Sequence, residues 1–384
     1  MYPDLSYLFH DLFGTQPDNG LSIFKTFGLM LVLAILAGSQ LLYLELKRKA
    51  QEGLFQAEKV KEIVGKGPTT SDLLGNALFG FVFGAKLFYV FKHFDEFKAN
   101  AAGVIFSMKG SFVGGLLLAV AYTAYRYWTG KKEQLPKPKT VVKEVYPHDL
   151  IGEITIIAAV SGIVGAKIFD MVEHLDAFFA DPLGVFFSGS GLAIYGGLIG
   201  GFLGVGWFLR KHNIPLIPVL DAAAPALMIA YGIGRIGCQL SGDGDWGIVA
   251  SAMPENWFLP DWMWSFTYPH NVAQDGVLIE GCTYHYCHVL PQGVYPTPFY
   301  ETVLALLIGG FLWAMRKRLH IPGMLFFLYL TLNGIERFLI ERIRVNPHYD
   351  VLGFSLSQAQ IIAISLFTIG FIGMAYLYRR KGRT

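Results

Sequence analysis

The feature that most constrains this chain is a recurrence of apolar stretches, separated by short runs in which the charges collect. A bilayer-crossing helix needs roughly 20 predominantly apolar residues. Nine stretches meet that need, near 22–44, 73–91, 102–128, 150–171, 183–209, 217–239, 299–315, 322–341 and 358–378. Only 16% of the 384 residues are charged, whereas a soluble domain carries about a quarter. A large soluble core is therefore the weaker reading. The pattern predicts an all-α fold: a polytopic membrane helical bundle of about nine transmembrane helices. The first apolar stretch has no basic run ahead of it, so it is expected to stay in the mature protein.

The connections alternate in charge. Lys47, Arg48, Lys49, Lys59, Lys61 and Lys66 follow the first stretch, and Lys131, Lys132, Lys137, Lys139 and Lys143 follow the third. Arg210-Lys211, Arg316-Lys317-Arg318 and the Arg379–Arg383 run close the fifth, seventh and ninth. The connection 241–298 has no Lys or Arg, yet it holds Asp243, Asp245, Glu255, Asp261, Asp275 and Glu280. Basic connections stay on the cytoplasmic side, which places the N-terminus outside and the C-terminus inside. The basic runs read as membrane anchors. No nucleic-acid motif or long basic face accompanies them.

An internal repeat is visible. Gly84-Ala-Lys-Leu-Phe-Tyr-Val-Phe-Lys-His-Phe-Asp-Glu-Phe97 matches Gly165-Ala-Lys-Ile-Phe-Asp-Met-Val-Glu-His-Leu-Asp-Ala-Phe178. Gly103–Ser107 matches Gly184–Ser188, and Gly114-Gly115-Leu116 matches Gly196-Gly197-Leu198. Each copy holds two stretches, so the copies are expected to run parallel. Three domains follow: 1–71, a first span and linker; 72–148, an additional two-span copy with a basic loop; and 149–384, a core with an outer loop at 241–298.

Ionisable groups inside apolar spans are costly and default to functional candidates. Gly234-Arg-Ile-Gly-Cys-Gln-Leu-Ser-Gly-Asp-Gly-Asp-Trp-Gly247 closes the sixth stretch. Its glycines permit tight turns, and Arg235 stands where the helix meets the loop. In Asn333-Gly-Ile-Glu-Arg-Phe-Leu-Ile-Glu-Arg-Ile-Arg344, the residues Arg337, Glu341 and Arg344 fall on one helix face. An arginine's planar fork of donors suits phosphate, and two of them near the outer surface point to an anionic lipid headgroup. Snorkelling to the interface is the bland alternative and weighs most for Arg344. In Gly191-Leu-Ala-Ile-Tyr-Gly-Gly-Leu-Ile-Gly-Gly201 most glycines are expected to serve close helix packing; Tyr195 adds a polar handle. Tyr295-Pro-Thr-Pro-Phe-Tyr-Glu301 opens the seventh stretch and ends in a carboxylate that burial could trap. Cys282 and Cys287, beside His285 and His288, are read as free thiols or one disulfide in preference to a metal site.

These segments resemble, in order, those of the bacterial prolipoprotein diacylglyceryl transferases: Gly-Leu-Ala-Ile-Tyr-Gly-Gly-Leu-Ile-Gly (191–200), Gly-Arg-Ile-Gly (234–237), Pro-Thr-x-Phe-Tyr-Glu (296–301) and Arg-x-x-x-Glu-x-x-Arg (337–344). The similarity covers 20–46 and roughly 149–380; the first repeat copy looks like an addition. The resemblance implies a multi-pass enzyme of the bacterial inner membrane. It would move the diacylglyceryl group of phosphatidylglycerol to the lipobox cysteine thiol at a prolipoprotein signal peptide, with no cofactor and no metal. It implies catalytic roles for Arg235, Arg337, Tyr195 and Glu341. Substrate contacts would come from Gly196, Gly197, Gly237, Cys238, Ser241, Asp243, Gly247, Asn333, Arg344, Tyr300 and Glu301.

The chain departs from the family pattern at several of these positions. Tyr195 replaces a histidine, Cys238 and Ser241 replace asparagines, Asp243 best matches a glutamate, and Asn333 replaces a tyrosine. Phe27 stands for a first-span tyrosine and Pro298 for a glutamine. The alternatives are a non-catalytic paralogue that binds lipid or lipoprotein, and a transporter. The repeat disfavours a transporter, since nothing in the first copy echoes Arg235 or Arg337. The outer loop 241–298 is expected to lie on the membrane surface, near the protein substrate.

Overall fold

The computed structural model describes residues 1–99, 101–182, 185, 193–351 and 353–381. The Gly184–Ser188 repeat match falls outside these residues except at Val185, and so do Leu183, Gly191 and Leu192. Thirteen α-helices are described: α1 Leu5–Phe13, α2 Thr26–Gln51, α3 Thr70–Lys92, α4 Phe94–Ala99, α5 Ala101–Phe106, α6 Phe112–Lys132, α7 Ile151–Glu173, α8 Leu175–Ala180, α9 Ile194–Lys211, α10 Leu216–Ser241, α11 Thr297–Met315, α12 Met324–Glu341 and α13 Gln358–Lys381. Six of them, α2, α3, α7, α10, α11 and α13, are long and apolar enough to cross a membrane. Their apolar side chains stand widely exposed, as at Leu36, Leu78, Val160, Leu307 and Ile372, which is the surface of a polytopic membrane protein. The other three expected spans also hold helices. α9 and α12 are 18 residues each, and α12 carries Glu336, Arg337 and Glu341.

One expected span changes shape. The stretch 102–128 is not one helix: it breaks between α5 and α6. The Lys86 ammonium donates to the carbonyls of Val104, Ser107 and Lys109 at 2.9, 2.5 and 2.8 Å. It thereby satisfies carbonyls that the broken helix leaves open.

The chain forms two compact units, Met1–Leu54 with Pro215–Thr384, and Phe55–Ile214. Both repeat copies lie in the second unit. There α3 pairs with α6 and α7 with α9, and the two helix pairs use the same contacts. A Cβ on Gly84 would stand 2.3 Å from the carbonyl oxygen of Gly114, and one on Gly165 would stand 2.3 Å from that of Gly196. Only glycine lets backbones approach this closely. The Ser111 N–H donates to Ala85, and the equivalent Ala193 N–H donates to Ala166. Outside the helices, β1 (Glu58–Val64) pairs antiparallel with β2 (Lys139–Val145) over seven residues. The basic linkers therefore meet as a ribbon.

In the first unit α10 is central, packing against α2, α11 and α12, while α13 packs on α12. Ala224, Met228, Ala305, Leu312 and Leu325 form its core. The loop 242–296 folds over the end of α10, tied by two-residue strands β3 (Val277–Leu278) and β4 (His288–Val289) and by a Cys282–Cys287 disulfide. The N-terminal segment is bound to it: the Tyr286 N–H donates to the Tyr7 hydroxyl, and the Tyr2 N–H donates to the Leu240 carbonyl. A short ladder of β5 (His348–Val351) and β6 (Phe354–Ser357) leads into α13.

Candidate functional site

Three helices of the first unit bring their charged ends to one place. α10 runs to Ser241 and stops where Gly242 turns left-handed (φ 65°), its N–H returning to the Cys238 carbonyl. Such a stop suits glycine, which lacks a Cβ to clash. Arg235 thus lies in the penultimate turn of α10. α11 begins at Thr297 with Pro298 in its first turn, a position where the missing N–H costs nothing, and it carries Glu301 one turn in. α12 brings Arg337 and Glu341, one turn apart, and Arg344 follows its end.

Glu301 is fully buried and is the centre of the arrangement. Its carboxylate lies 2.9 Å from Arg235 Nε, 3.0 Å from Arg337 Nη1 and 3.5 Å from Arg344 Nη1. Arg337 Nη2 reaches Glu341 at 2.9 Å. Asp245, in the loop, takes Arg344 Nη2 at 2.5 Å and pairs closely with Arg235 Nη1. Glu341 also accepts from the Ser357 hydroxyl at 2.7 Å and from the Asn346 amide at 2.5 Å.

Three guanidiniums face three carboxylates, so the buried set is neutral, as a low-dielectric site requires. Burial works against ionising Asp245, but Arg235 and Arg344 outweigh it and hold this carboxyl below the usual carboxylate range. The arginines are not used up. A guanidinium has five N–H donors; Arg337 engages Glu301 and Glu341 through Nη1 and Nη2 alone and is the most open of the three. The carboxylates fix the forks in place while donors remain for an incoming anion.

The loop is locked to this network. Thr297 Oγ1 donates to the Asp245 carbonyl at 2.7 Å, and the Ile248 N–H donates to the Ile343 carbonyl at 2.8 Å. Gly247 forms a bridge with Arg344. A Cβ there would stand 2.5 Å from the Ile343 oxygen, so only glycine fits.

The structure thus brings together Arg235, Glu301, Arg337, Glu341, Arg344 and Gly247 of the expected residues. Arg344 is not snorkelling: its side chain is 10% exposed and doubly paired. Gly237 crosses α2 tightly, where a Cβ would come within 3.3 Å of Phe27 and 3.0 Å of Met30. Cys238 is a buried free thiol with Sγ 3.7 Å from Arg235 Nη1, and Ser241 turns its hydroxyl back on the Cys238 carbonyl. Asn333 points its amide at the Met228 sulfur, 3.7 Å away. The Tyr300 hydroxyl donates to the Met263 carbonyl at 2.7 Å and so holds the loop. Tyr195, Gly196 and Gly197 begin α9 in the second unit, where Gly196 serves the helix crossing with Gly165.

Two residues went unread in the sequence. Asp243 is the matched acid, but Asp245 makes the ion pairs; Asp243 makes none among the described residues. The signal lay in the Asp-Gly-Asp repetition, which offers two carboxylates to one arginine. Glu336 is the other: it is 2% exposed, and neither carboxylate oxygen has a hydrogen-bond partner among the described residues. Cys238, Asp243 and Asp245 could offer ligand atoms within 4.8 Å of one another, but the two guanidiniums already on Asp245 oppose a cation there.

The family model described as Prolipoprotein diacylglyceryl transferase matches residues 128–376. The phosphatidylglycerol--prolipoprotein diacylglyceryl transferase of Lysinibacillus sphaericus (strain C3-41) is 31% identical over 265 residues, covering 69% of this chain and 86% of that protein. Its namesake from Dehalococcoides mccartyi (strain CBDB1) is 29% identical over 296 residues, covering 75% and 98%. That of Staphylococcus aureus (strain Newman) is 28% identical over 240 residues, covering 62% and 77%. The match includes every residue of the arginine–carboxylate network.

Proposed function

The chain belongs to the prolipoprotein diacylglyceryl transferase family, and from that premise we propose that it transfers the diacylglyceryl group of phosphatidylglycerol to the lipobox cysteine thiol of prolipoproteins. The observation that carries the reading is the fully buried Glu301 holding Arg235 and Arg337 with donors to spare. The donor lipid is a phosphodiester with one negative charge. The thiolate attacks the glycerol carbon that bears the phosphate; a C–S bond forms, the C–O bond breaks, and glycerol phosphate leaves with a second charge. Fixed cationic donors favour that state most where charge is developing. Arg235 and Arg337 grip the phosphate, and Glu341 orients Arg337. The nucleophile belongs to the substrate, so Cys238 and the Cys282–Cys287 pair need not react.

This reading carries a topology of nine spans in the bacterial inner membrane, with the N-terminus outside. The basic ends of α2, α6, α9, α11 and α13 support it through the positive-inside rule. The loop 242–296 then lies at the outer surface, where the signal peptide arrives. Expression of this chain in a bacterium depleted of its own transferase tests the function. Restored growth and lipoprotein maturation are expected. No restoration from a correctly inserted, abundant protein would overturn it.

A further inference from the structure

A second polar cluster lies at the opposite ends of the same helices. The C-terminus of α2, the N-terminus of α10, the C-terminus of α11 and the turn before α12 enclose a cavity of about 200 Å³, lined by Arg48, Lys49, Asp221, Arg316, His320 and Pro322 among others. All of its lining residues belong to the first unit.

The carboxylates here are already committed. Glu45, 1% exposed, takes Arg48 Nε at 2.9 Å and a closer contact from Arg48 Nη2, and Arg316 Nε lies 3.2 Å from it. Glu52 pairs with Arg48 Nη1. Asp221, 4% exposed, accepts the backbone N–H groups of Gly323 at 2.7 Å and Phe326 at 2.9 Å, so it caps α12 from another helix. Arg48 is thereby occupied on all three nitrogens. Arg316 stacks on Trp313, its guanidinium carbon 3.7 Å from the ring centre, and gives Nη1 to the Trp313 carbonyl. Its Nη2 has no acceptor among the described residues.

Lys49 differs from these. It is 7% exposed, lines the cavity, and its ammonium makes neither an ion pair nor a hydrogen bond among the described residues. Asp221 acts on it only at a distance. Three charged donors on the wall of a cavity, with no described acceptor, are free to meet an anion there. A neutral count of three cations against three carboxylates does not occupy these donors, because the carboxylates are engaged elsewhere.

We propose that this cavity binds a phosphate-type oxyanion, with Lys49 Nζ and Arg316 Nη2 donating to its oxygens. Basic pockets between transmembrane helices, on the side where the basic residues collect, take anionic lipid headgroups. A compact ammonium and a planar guanidinium on the wall of one cavity suit such a phosphate. The site is separate from the Glu301 network and does not depend on the transfer reaction.

The test uses the full-length protein in detergent, comparing wild type with Lys49→Met and Lys49→Arg. One arm titrates inorganic phosphate by calorimetry. The other counts retained phosphatidic acid against phosphatidylcholine by native mass spectrometry. Lys49→Met should weaken phosphate at least about tenfold, the loss of one charge-assisted contact, or remove one bound phosphatidic acid; Lys49→Arg should keep most of either. A change in the first arm identifies free phosphate as sufficient, and a change in the second alone identifies the lipid as the source. If Lys49→Met does not fold, Lys49→Gln takes its place. Equal binding by wild type and the neutral variant in both arms, or no binding by wild type in either, overturns the proposal.

Discussion

Replacing Glu301 by glutamine keeps the side-chain volume and removes one charge. The perturbation is large because this carboxylate is fully buried and faces three guanidiniums at 2.9, 3.0 and 3.5 Å. The network passes from neutral to an excess of one positive charge in a low-dielectric site. Removing one partner of a buried ion pair costs about 3–5 kcal/mol, or roughly two to three and a half decades in the unfolding constant. Arg235 and Arg337 also lose the group that sets their spacing, and an error of about 1 Å in a binding group costs on the order of a hundredfold in rate. Unfolding in mixed micelles, read by tryptophan fluorescence, measures the first quantity, and transfer to a lipobox peptide measures the second. Adding Arg344→Gln to Glu301→Gln restores neutrality and should recover about 1 kcal/mol or more of the loss. A single-variant cost below about 1 kcal/mol, the range of exposed pairs, would refute the reasoning, as would strict additivity.

Arg235→Ala and Arg337→Ala should each lower kcat by at least about a hundredfold while the proteins still insert; normal rates from both would remove them from the phosphate site. Asp245 has a folded-state pKa held below its ordinary value, so its contribution to stability is full above about pH 4 and lost as the pH falls through the lower folded value. Asp245→Asn should therefore destabilise the protein at neutral pH and converge with wild type on acidification, whereas Asp243→Asn, with no ion pair to lose, should not; unfolding midpoints between pH 3 and 7 decide between them. Glu336→Leu should stabilise the fold by roughly 1–3 kcal/mol, because it removes a buried carboxyl with no hydrogen-bond partner among the described residues; a loss of stability in the same unfolding assay would refute this.

Much of this was legible before any coordinates. Span positions follow from apolar length, and Arg235, Arg337 and Glu341 are conspicuous because a charge inside an apolar helix is rare. The Gly84–Gly165 repeat was readable for the same local reason, and the structure uses both copies as matching helix crossings. Properties set by distant partners were not legible. Glu301 reads as a carboxylate open to burial and as a substrate contact, but its place between arginines brought by α10 and α12 from 66 and 36 positions away is not visible in the sequence. The choice of Asp245 over Asp243 depends on which carboxylate the turn after Gly242 points at Arg344, and spacing alone cannot decide that. The basic linkers read as solvated anchors because lysine dominates their composition. The β-branched Thr140, Val141, Val142 and Val145 are the quieter signal that they pair as β1 and β2. The break at Ser107–Ser111 is marked by Lys109, Gly110 and two serines, but the apolar stretches on both sides read as one span, and the lysine that caps the break lies on another helix.

The most direct test of the account is diacylglyceryl transfer by the purified protein. A lipobox peptide and phosphatidylglycerol are incubated with wild type and with Arg337→Ala, and the peptide mass is read. A gain of one diacylglyceryl group on the cysteine, with release of glycerol phosphate, is expected from the wild type and not from the variant. No mass gain from folded wild-type protein that still retains phosphatidylglycerol would contradict it, and so would an equal gain with both proteins.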